Sequence, residues 1–260
     1  LVGPVNRYIG YMKIKQKLVK SIKQALAYPV FLLVTMAFVI IALFTFVLPR
    51  FVEMYSGFNA ELPAPTLLLM SVVDNFPLYA GVFIGLATVI YVMSKMFIAS
   101  DYGRFRYDYL RLHAPVFGNM VRLFSIAQIT RVLATLIKSG VTVVEALMKT
   151  AEGINNSVLQ KQLKTASRKI EEGAALAEAL KHIKIFPAKS LKLVAAGEES
   201  GQLGELLLNI TEYHEELFES SIKKIVALVE PIIMLVIGLF VGGIILVMYL
   251  PIFSVAEIVQ

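Results

Sequence analysis

The chain is 260 residues long and 57% hydrophobic, with a mean hydropathy of +0.72, which is too apolar for an ordinary soluble domain. It holds no cysteine, which excludes a disulfide framework, a zinc-thiolate site and a thiol nucleophile. The net charge of +6 is spread so unevenly that its distribution carries more information than its sum.

Residues 1–29 contain Arg7, Lys13, Lys15, Lys17, Lys20 and Lys23 and no acid. The first apolar run follows, nineteen residues from Val30 to Leu48 without a charge. A helix needs roughly 20 residues to cross ~30 Å of hydrocarbon, so this run predicts a spanning helix. The loop 49–77 has a single base, Arg50, against Glu53, Glu61 and Asp74. A second run, Leu78 to Ser94, is uncharged and continues through Lys95 to Phe97; Lys95, Arg104, Arg106 and Arg111 come after it.

Residues 100–229 read as helices throughout, with no strand or hairpin signal. Gly103–His113 is one helix, stopped by Ala114-Pro115. Val121–Ser139 is another, with Arg122, Ser125, Gln128, Arg131, Thr135 and Lys138 as a polar stripe and Gly140 in the C′ role. Thr142-x-x-Glu145 is a capping box opening the next helix. Asn155 or Asn156 caps a fourth, with Leu159, Leu163, Ala166 and Ile170 at helical spacing and Gly173 at its end. A short helix follows at Ala175–Lys181. Pro187 at a first-turn position starts another, which Gly201 ends in a left-handed conformation. From Leu203 a helix can run without interruption to Leu250, through Pro231. Its last nineteen residues, Ile232–Leu250, are the third uncharged run.

The expected architecture is therefore all-α: three transmembrane helices and a helical-bundle domain at 100–229. Basic residues collect on one side of the three spans, which places residues 1–29 and 100–229 in the cytoplasm and the 49–77 loop and the tail outside. Residues 230–260 then form the third span and an external tail.

The chain also repeats itself at an offset of 202 residues. Tyr28-Pro29 and Leu48-Pro49-Arg50-Phe51 bound the first span; Glu230-Pro231 and Leu250-Pro251-Ile252-Phe253 bound the third. Tyr11, Ala25 and Leu26 align with Tyr213, Ala227 and Leu228. Self-similarity at a fixed offset indicates duplication. Residues 1–29 then correspond to the last helix of a truncated first cytoplasmic domain, with on the order of 100 further residues expected upstream. Pro29 and Pro231 have two readings: paired elbows in continuous helices, or first-turn prolines of separate span helices.

Charge is segregated within 100–229. Residues 193–222 hold Glu198, Glu199, Glu205, Glu212, Glu215, Glu216 and Glu219 and no Lys or Arg, whereas Lys161, Lys164, Arg168, Lys169, Lys181, Lys184, Lys189 and Lys192 precede them against three acids. Solvated helix faces and a docking surface for a charged partner or a neighbouring subunit both fit this pattern.

Candidate chemistry is nearly absent. His113, His182 and His214 form no metal-ligand spacing, and Gly197-x-x-x-Gly201 lacks the Gly-Lys-Ser/Thr of a phosphate loop. The acids have no metal-loop spacing, and the basic residues lack the interleaved aromatics of a nucleic-acid platform. No span has an ionisable residue at mid-depth, which argues against an ion or proton pathway. Glu230 sits at the edge of the third span, as an interfacial anchor or as an acid paired within the bundle. Gly81-x-x-x-Gly85 and Gly238-x-x-x-Gly242 allow close helix approach. No catalytic, cofactor or metal residue is expected. The candidate interaction or structural positions are Gly140, Glu145, Gly173, Gly197, Glu198, Glu199, Gly201, Glu230 and Pro231.

An ordered set of segments carries a family resemblance. Ser139-Gly140-Val141 with Glu145-Ala146-Leu147 is similar to a segment of the inner-membrane platform proteins of type IV pilus and type II secretion systems. So are Glu172 to Leu180, Phe186-Pro187, Gly197 to Leu203, Glu230-Pro231, Leu250 to Phe253 and the loop segment Glu61 to Thr66. Ala175 and Ala177 stand where that family usually has Ser, and Thr142 where it often has Pro. The resemblance implies a non-enzymatic, multi-pass protein of the bacterial inner membrane with a periplasmic C-terminus. It implies contact with a hexameric cytoplasmic assembly ATPase, with pilin or pseudopilin, with other inner-membrane assembly proteins and with membrane lipid. It further implies a homo-oligomer, no cofactor and no nucleic acid. The alternative is a membrane subunit of an ATPase-driven transporter, which should show polar or broken spans near the midplane.

Overall fold

The computed structural model describes residues 27–47, 75–115 and 117–258, with 23, 49, 50, 53 and 71 as single positions. The upstream helix expected before residue 27, most of the loop 49–77 and residues 259–260 lie outside the described residues. Every regular element described is helical. In chain order they are α1 (Ala27–Val47), α2 (Phe76–Ala99), α3 (Asp101–His113), α4 (Phe117–Lys138), α5 (Val143–Gly153), α6 (Ser157–Glu171), α7 (Leu176–Lys181), α8 (Ala188–Glu199) and α9 (Leu203–Ile258). The chain divides into two compact units. One includes Met93–Lys223; the other includes the apolar segments up to Val92 and from Lys224.

Four helices among the described residues are long and apolar enough to span a membrane: α1, α2, α4 and the Leu203–Leu246 part of α9. Burial separates them. Phe38, Phe83 and Leu239 are 72%, 73% and 70% exposed, as expected of side chains that face lipid or neighbouring helices in a membrane. α2 has no buried residue at all. The hydroxyls of Thr35 and Thr88 bond back to the carbonyls of Phe31 and Ile84, at 3.0 and 2.7 Å, so neither is left unsatisfied in hydrocarbon. By contrast α4 buries Ile126, Ile129, Leu133 and Ala134 and carries Arg122, Arg131 and Lys138. It is a core helix of the Met93–Lys223 unit, which leaves three candidate spans among the described residues.

α1 widens into a π-helical turn at Leu43–Val47, which the periodicity does not predict. Pro49 lies just beyond it, and a proline ring collides with the carbonyl four residues back in regular α geometry, here that of Thr45. A π turn moves that carbonyl aside.

Within the Met93–Lys223 unit, α3 packs on α4 and α6, α4 on α5, α5 on α6, α6 on α7, and α7 on α8. Ile129, Leu133, Leu147, Leu159, Leu163 and Leu180 are fully buried in its core. The stops and starts follow local chemistry. Thr142 Oγ1 accepts the Glu145 N–H at 3.3 Å to open α5. Asn156, not Asn155, caps α6, its Oδ1 accepting from Val158 and Leu159. Gly140, Gly173 and Gly201 take φ of 81°, 94° and 70°, the left-handed region where a Cβ is costly. At Gly140 the motif closes with Val141 N–H on the Leu136 carbonyl at 3.1 Å.

Several boundaries differ from the sequence reading. α4 begins at Phe117 rather than Val121, because Gly118 lets the helix start against Leu112, whose carbonyl oxygen a Cβ would meet at 2.8 Å. Ser125, read as part of a polar stripe, is buried. The short helix begins at Leu176, with Ala175 as its N-cap. Pro187 is extended (φ −72°, ψ 153°) and caps α8 instead of occupying its first turn. α9 runs unbroken through Pro231 and continues past Leu250 to Ile258.

Candidate functional site

The first half of α9 is fastened along α4. The rings of Phe124 and Phe218 lie 5.7 Å apart. The buried hydroxyls of Thr130 and Thr211 share a hydrogen bond of 2.8 Å. Arg131 donates from Nε and Nη2 to Glu215 Oε1 at 3.2 and 2.8 Å. Near the end of α4, the Lys138 stem covers Gly204. These contacts descend α9 as they climb α4, so the two helices run antiparallel. Apolar, neutral polar and ionic contacts alternate along the seam. Each hydroxyl also lies 2.8 Å from the carbonyl four residues back, Ile126 for Thr130 and Leu207 for Thr211, so the threonine pair joins the two helices while staying bonded to its own turns.

α8 packs on the start of α9 through Gly197. A Cβ there would meet Leu203 Cα at 3.1 Å and the Leu206 side chain at 3.2 Å, so glycine permits the close approach. Glu198, next to it, turns the other way. Its carboxylate accepts the backbone N–H groups of Leu176 and Ala177 at 2.9 and 3.5 Å. Ala175 offers α7 no side-chain cap, and Glu198 supplies one from 22 residues away. The Glu172–Leu180 segment and the Gly197–Leu203 segment are thus bonded to each other. Glu198→Ala is expected to destabilise this unit by about 1 kcal/mol. Adding Ala175→Ser should restore most of that loss by placing a hydroxyl at the N-cap. Thermal midpoints of the two variants in detergent check this.

Other candidate positions stay separate. Gly140 and the exposed Glu145 flank the α4–α5 turn, and Gly173 follows α6. Gly173 borders an open depression with Lys169, Glu172, Ala174 and Glu178, too shallow to enclose a ligand. Glu199 is exposed at the end of α8, and Glu230 and Pro231 are exposed within α9. Among the described residues, no three His, Asp or Glu side chains are placed to hold a metal.

The acidic stretch divides by role. Glu198 caps α7 and Glu215 pairs with Arg131. Glu205, Glu212 and Glu216 are exposed, and at ~3.6 residues per turn they share one face of α9 over ~16 Å. On α6, Lys161, Lys164 and Arg168 form an exposed basic face by the same spacing.

Two interior groups escaped sequence reasoning. Asp108, almost fully buried, accepts the Ser157 N–H and hydroxyl, both at 2.7 Å, and so caps α6 from α3. His214 is buried, with Nε2 3.3 Å from Ser190 Oγ and no partner for Nδ1. Ser190 and His214 are sealed from solvent, so they cannot serve a substrate as nucleophile and base. Burial lowers the His214 pKa below its ordinary 6.5. The unfolded chain then binds the proton more tightly, so stability is full above pH 6.5 and falls as pH drops towards the lowered value. The slope is at most about 1.4 kcal/mol per pH unit. His214→Leu should flatten the thermal midpoint between pH 7.5 and 5.5 relative to the unmodified chain.

Residues 129–251 match the family model of type II secretion system (T2SS) protein F. A type IV pilus assembly protein PilC of Myxococcus xanthus is 30% identical over 256 residues, covering 98% of this chain and 61% of its own length. A PilC of Thermus thermophilus is 31% identical over 252 residues, 96% of this chain and 62% of its own. A type II secretion system protein F of Pseudomonas aeruginosa is 30% identical over 259 residues, 99% of this chain and 64% of its own. The chain therefore spans less than two thirds of each of these relatives.

Proposed function

The chain belongs to the protein F family of type II secretion and type IV pilus systems, and from that premise we propose that it is an inner-membrane platform protein. It couples a hexameric cytoplasmic ATPase to the extraction of pilin or pseudopilin into a filament. It is a multi-pass membrane protein, and on this reading residues 100–229 lie in the cytoplasm and the C-terminus in the periplasm, as the one-sided distribution of Lys and Arg suggests. It has no catalytic role of its own. It works as a homo-oligomer with other inner-membrane assembly proteins.

One observation carries the reading. α9 is fastened antiparallel to α4 and continues, unbroken, into an apolar run long enough to cross the bilayer. On this reading a load applied to the helical unit passes into the span along one continuous helix. The exposed Glu205, Glu212 and Glu216 face is the proposed docking surface for a basic face on the ATPase, where charge sets orientation and partner choice. Affinity purification of the full-length protein from cells should bring down the ATPase and the pilin or pseudopilin. Reversing the three glutamates to lysine should lose the ATPase and keep the pilin. Retention of the ATPase by that variant would reduce the stripe to a solvated face; capture of neither partner by the unmodified protein would count against the platform reading.

A further inference from the structure

We infer that the outward face of α3 binds anionic phospholipid headgroups at the membrane surface. α2 ends at Ala99 and α3 begins at Asp101. Ser100 between them is the N-cap of α3, its Oγ accepting the Gly103 N–H at 3.1 Å. The turn is tight: a Cβ on Gly103 would collide with the Phe97 carbonyl. α3 therefore starts within a residue of the end of a lipid-exposed span, at the depth where hydrocarbon gives way to headgroups.

The composition of α3 suits that depth. Asp108 and Leu112 turn inward, Asp108 towards α6. Tyr102 and Tyr109 on one flank and Leu110 on the far side are exposed by 67%, 49% and 63%. Tyrosines with an apolar body and a polar tip favour the membrane–water interface. The guanidinium of Arg106 sits 5.8 Å from the Tyr102 ring and donates to its hydroxyl at 3.3 Å; that of Arg111 sits 5.7 Å from the Tyr107 ring. Neither arginine pairs with a carboxylate among the described residues. The one buried acid of the helix, Asp108, is taken up by the α6 cap. Two guanidiniums held by aromatic rings, without an acidic partner, are available to phosphate oxygens. An arginine near an anionic surface strengthens its attraction to that surface about fivefold.

The sequence has no tryptophan, so Tyr109→Trp introduces a single indole on this face at an exposed site. The 260-residue chain carrying it is reconstituted in nanodiscs of phosphatidylcholine with phosphatidylglycerol, with either lipid brominated at equal mole fraction. Brominated phosphatidylglycerol is expected to quench the indole at least about twofold more than brominated phosphatidylcholine. Arg106→Gln, added to the same chain, should remove most of the difference while far-UV circular dichroism stays unchanged. Equal quenching by both lipids in the parent would overturn the recognition of anionic headgroups. An unquenched, water-like emission would overturn the membrane contact altogether and mark the face for a protein partner.

Discussion

Asp108→Ala is expected to destabilise the helical unit by ~2–4 kcal/mol. The carboxylate lies in α3, almost fully buried, and accepts two bonds of 2.7 Å from Ser157 at the start of α6. Its removal leaves a backbone N–H and a hydroxyl without a partner in a place water reaches poorly, and takes a negative charge from the positive end of a helix. Asp108→Asn keeps the shape and one acceptor and should lose roughly half as much. Ser157→Ala removes only the hydroxyl bond and should cost about 1 kcal/mol. Thermal midpoints in one detergent, with hydrogen exchange at Val158 and Leu159, measure the series. Equal midpoints for Asp108→Ala and the unmodified chain would show that the cap contributes nothing.

Pro231→Ala should move stability and function in opposite directions. Pro231 lies inside α9, where it has no N–H to offer the Ala227 carbonyl and its ring crowds that carbonyl. A proline in a helix interior costs ~3 kcal/mol relative to alanine, so the substitution is expected to stabilise the helix by up to that amount. We propose that Glu230-Pro231 is an elbow between the fastened part of α9 and its spanning part, and that assembly needs its compliance. The helix is continuous at Pro231, which is the arrangement an elbow needs. Pro231→Ala in the full-length protein should lower filament assembly severalfold at normal protein levels. A variant assembling filaments at the unmodified rate would discard the elbow.

Much of this architecture is written locally. The three candidate spans follow from uncharged runs. Thr142 and Asn156 cap because a short oxygen-bearing side chain there reaches the backbone N–H groups of the next turn. Gly140, Gly173 and Gly201 stop helices because only glycine enters the left-handed region cheaply. The candidate positions were less legible, because what joins them is tertiary. Glu198 reads as the first of an acidic run, yet it caps a helix 22 residues earlier. Asp108 reads as one charge in a polar helix, yet it caps a segment 49 residues later. Thr130 interrupts the apolar pattern of α4; its hydroxyl bonds back to the Ile126 carbonyl, and its second partner, Thr211, lies 81 residues on. Arg131 was legible as polar, not as the partner of Glu215. A cap or pair across helices has no periodicity; a buried short polar residue beside an alanine cap is the sort of signal that points to one.

The coupling role itself is tested most directly by deleting the gene and counting surface filaments and secreted protein, with the ATPase and the pilin or pseudopilin quantified in the same cells. The platform reading predicts that filaments or secretion are lost while ATPase and unassembled subunits remain at normal levels, and that the full-length gene restores assembly. Filament assembly and secretion both continuing at the unmodified rate in the deleted strain would contradict it.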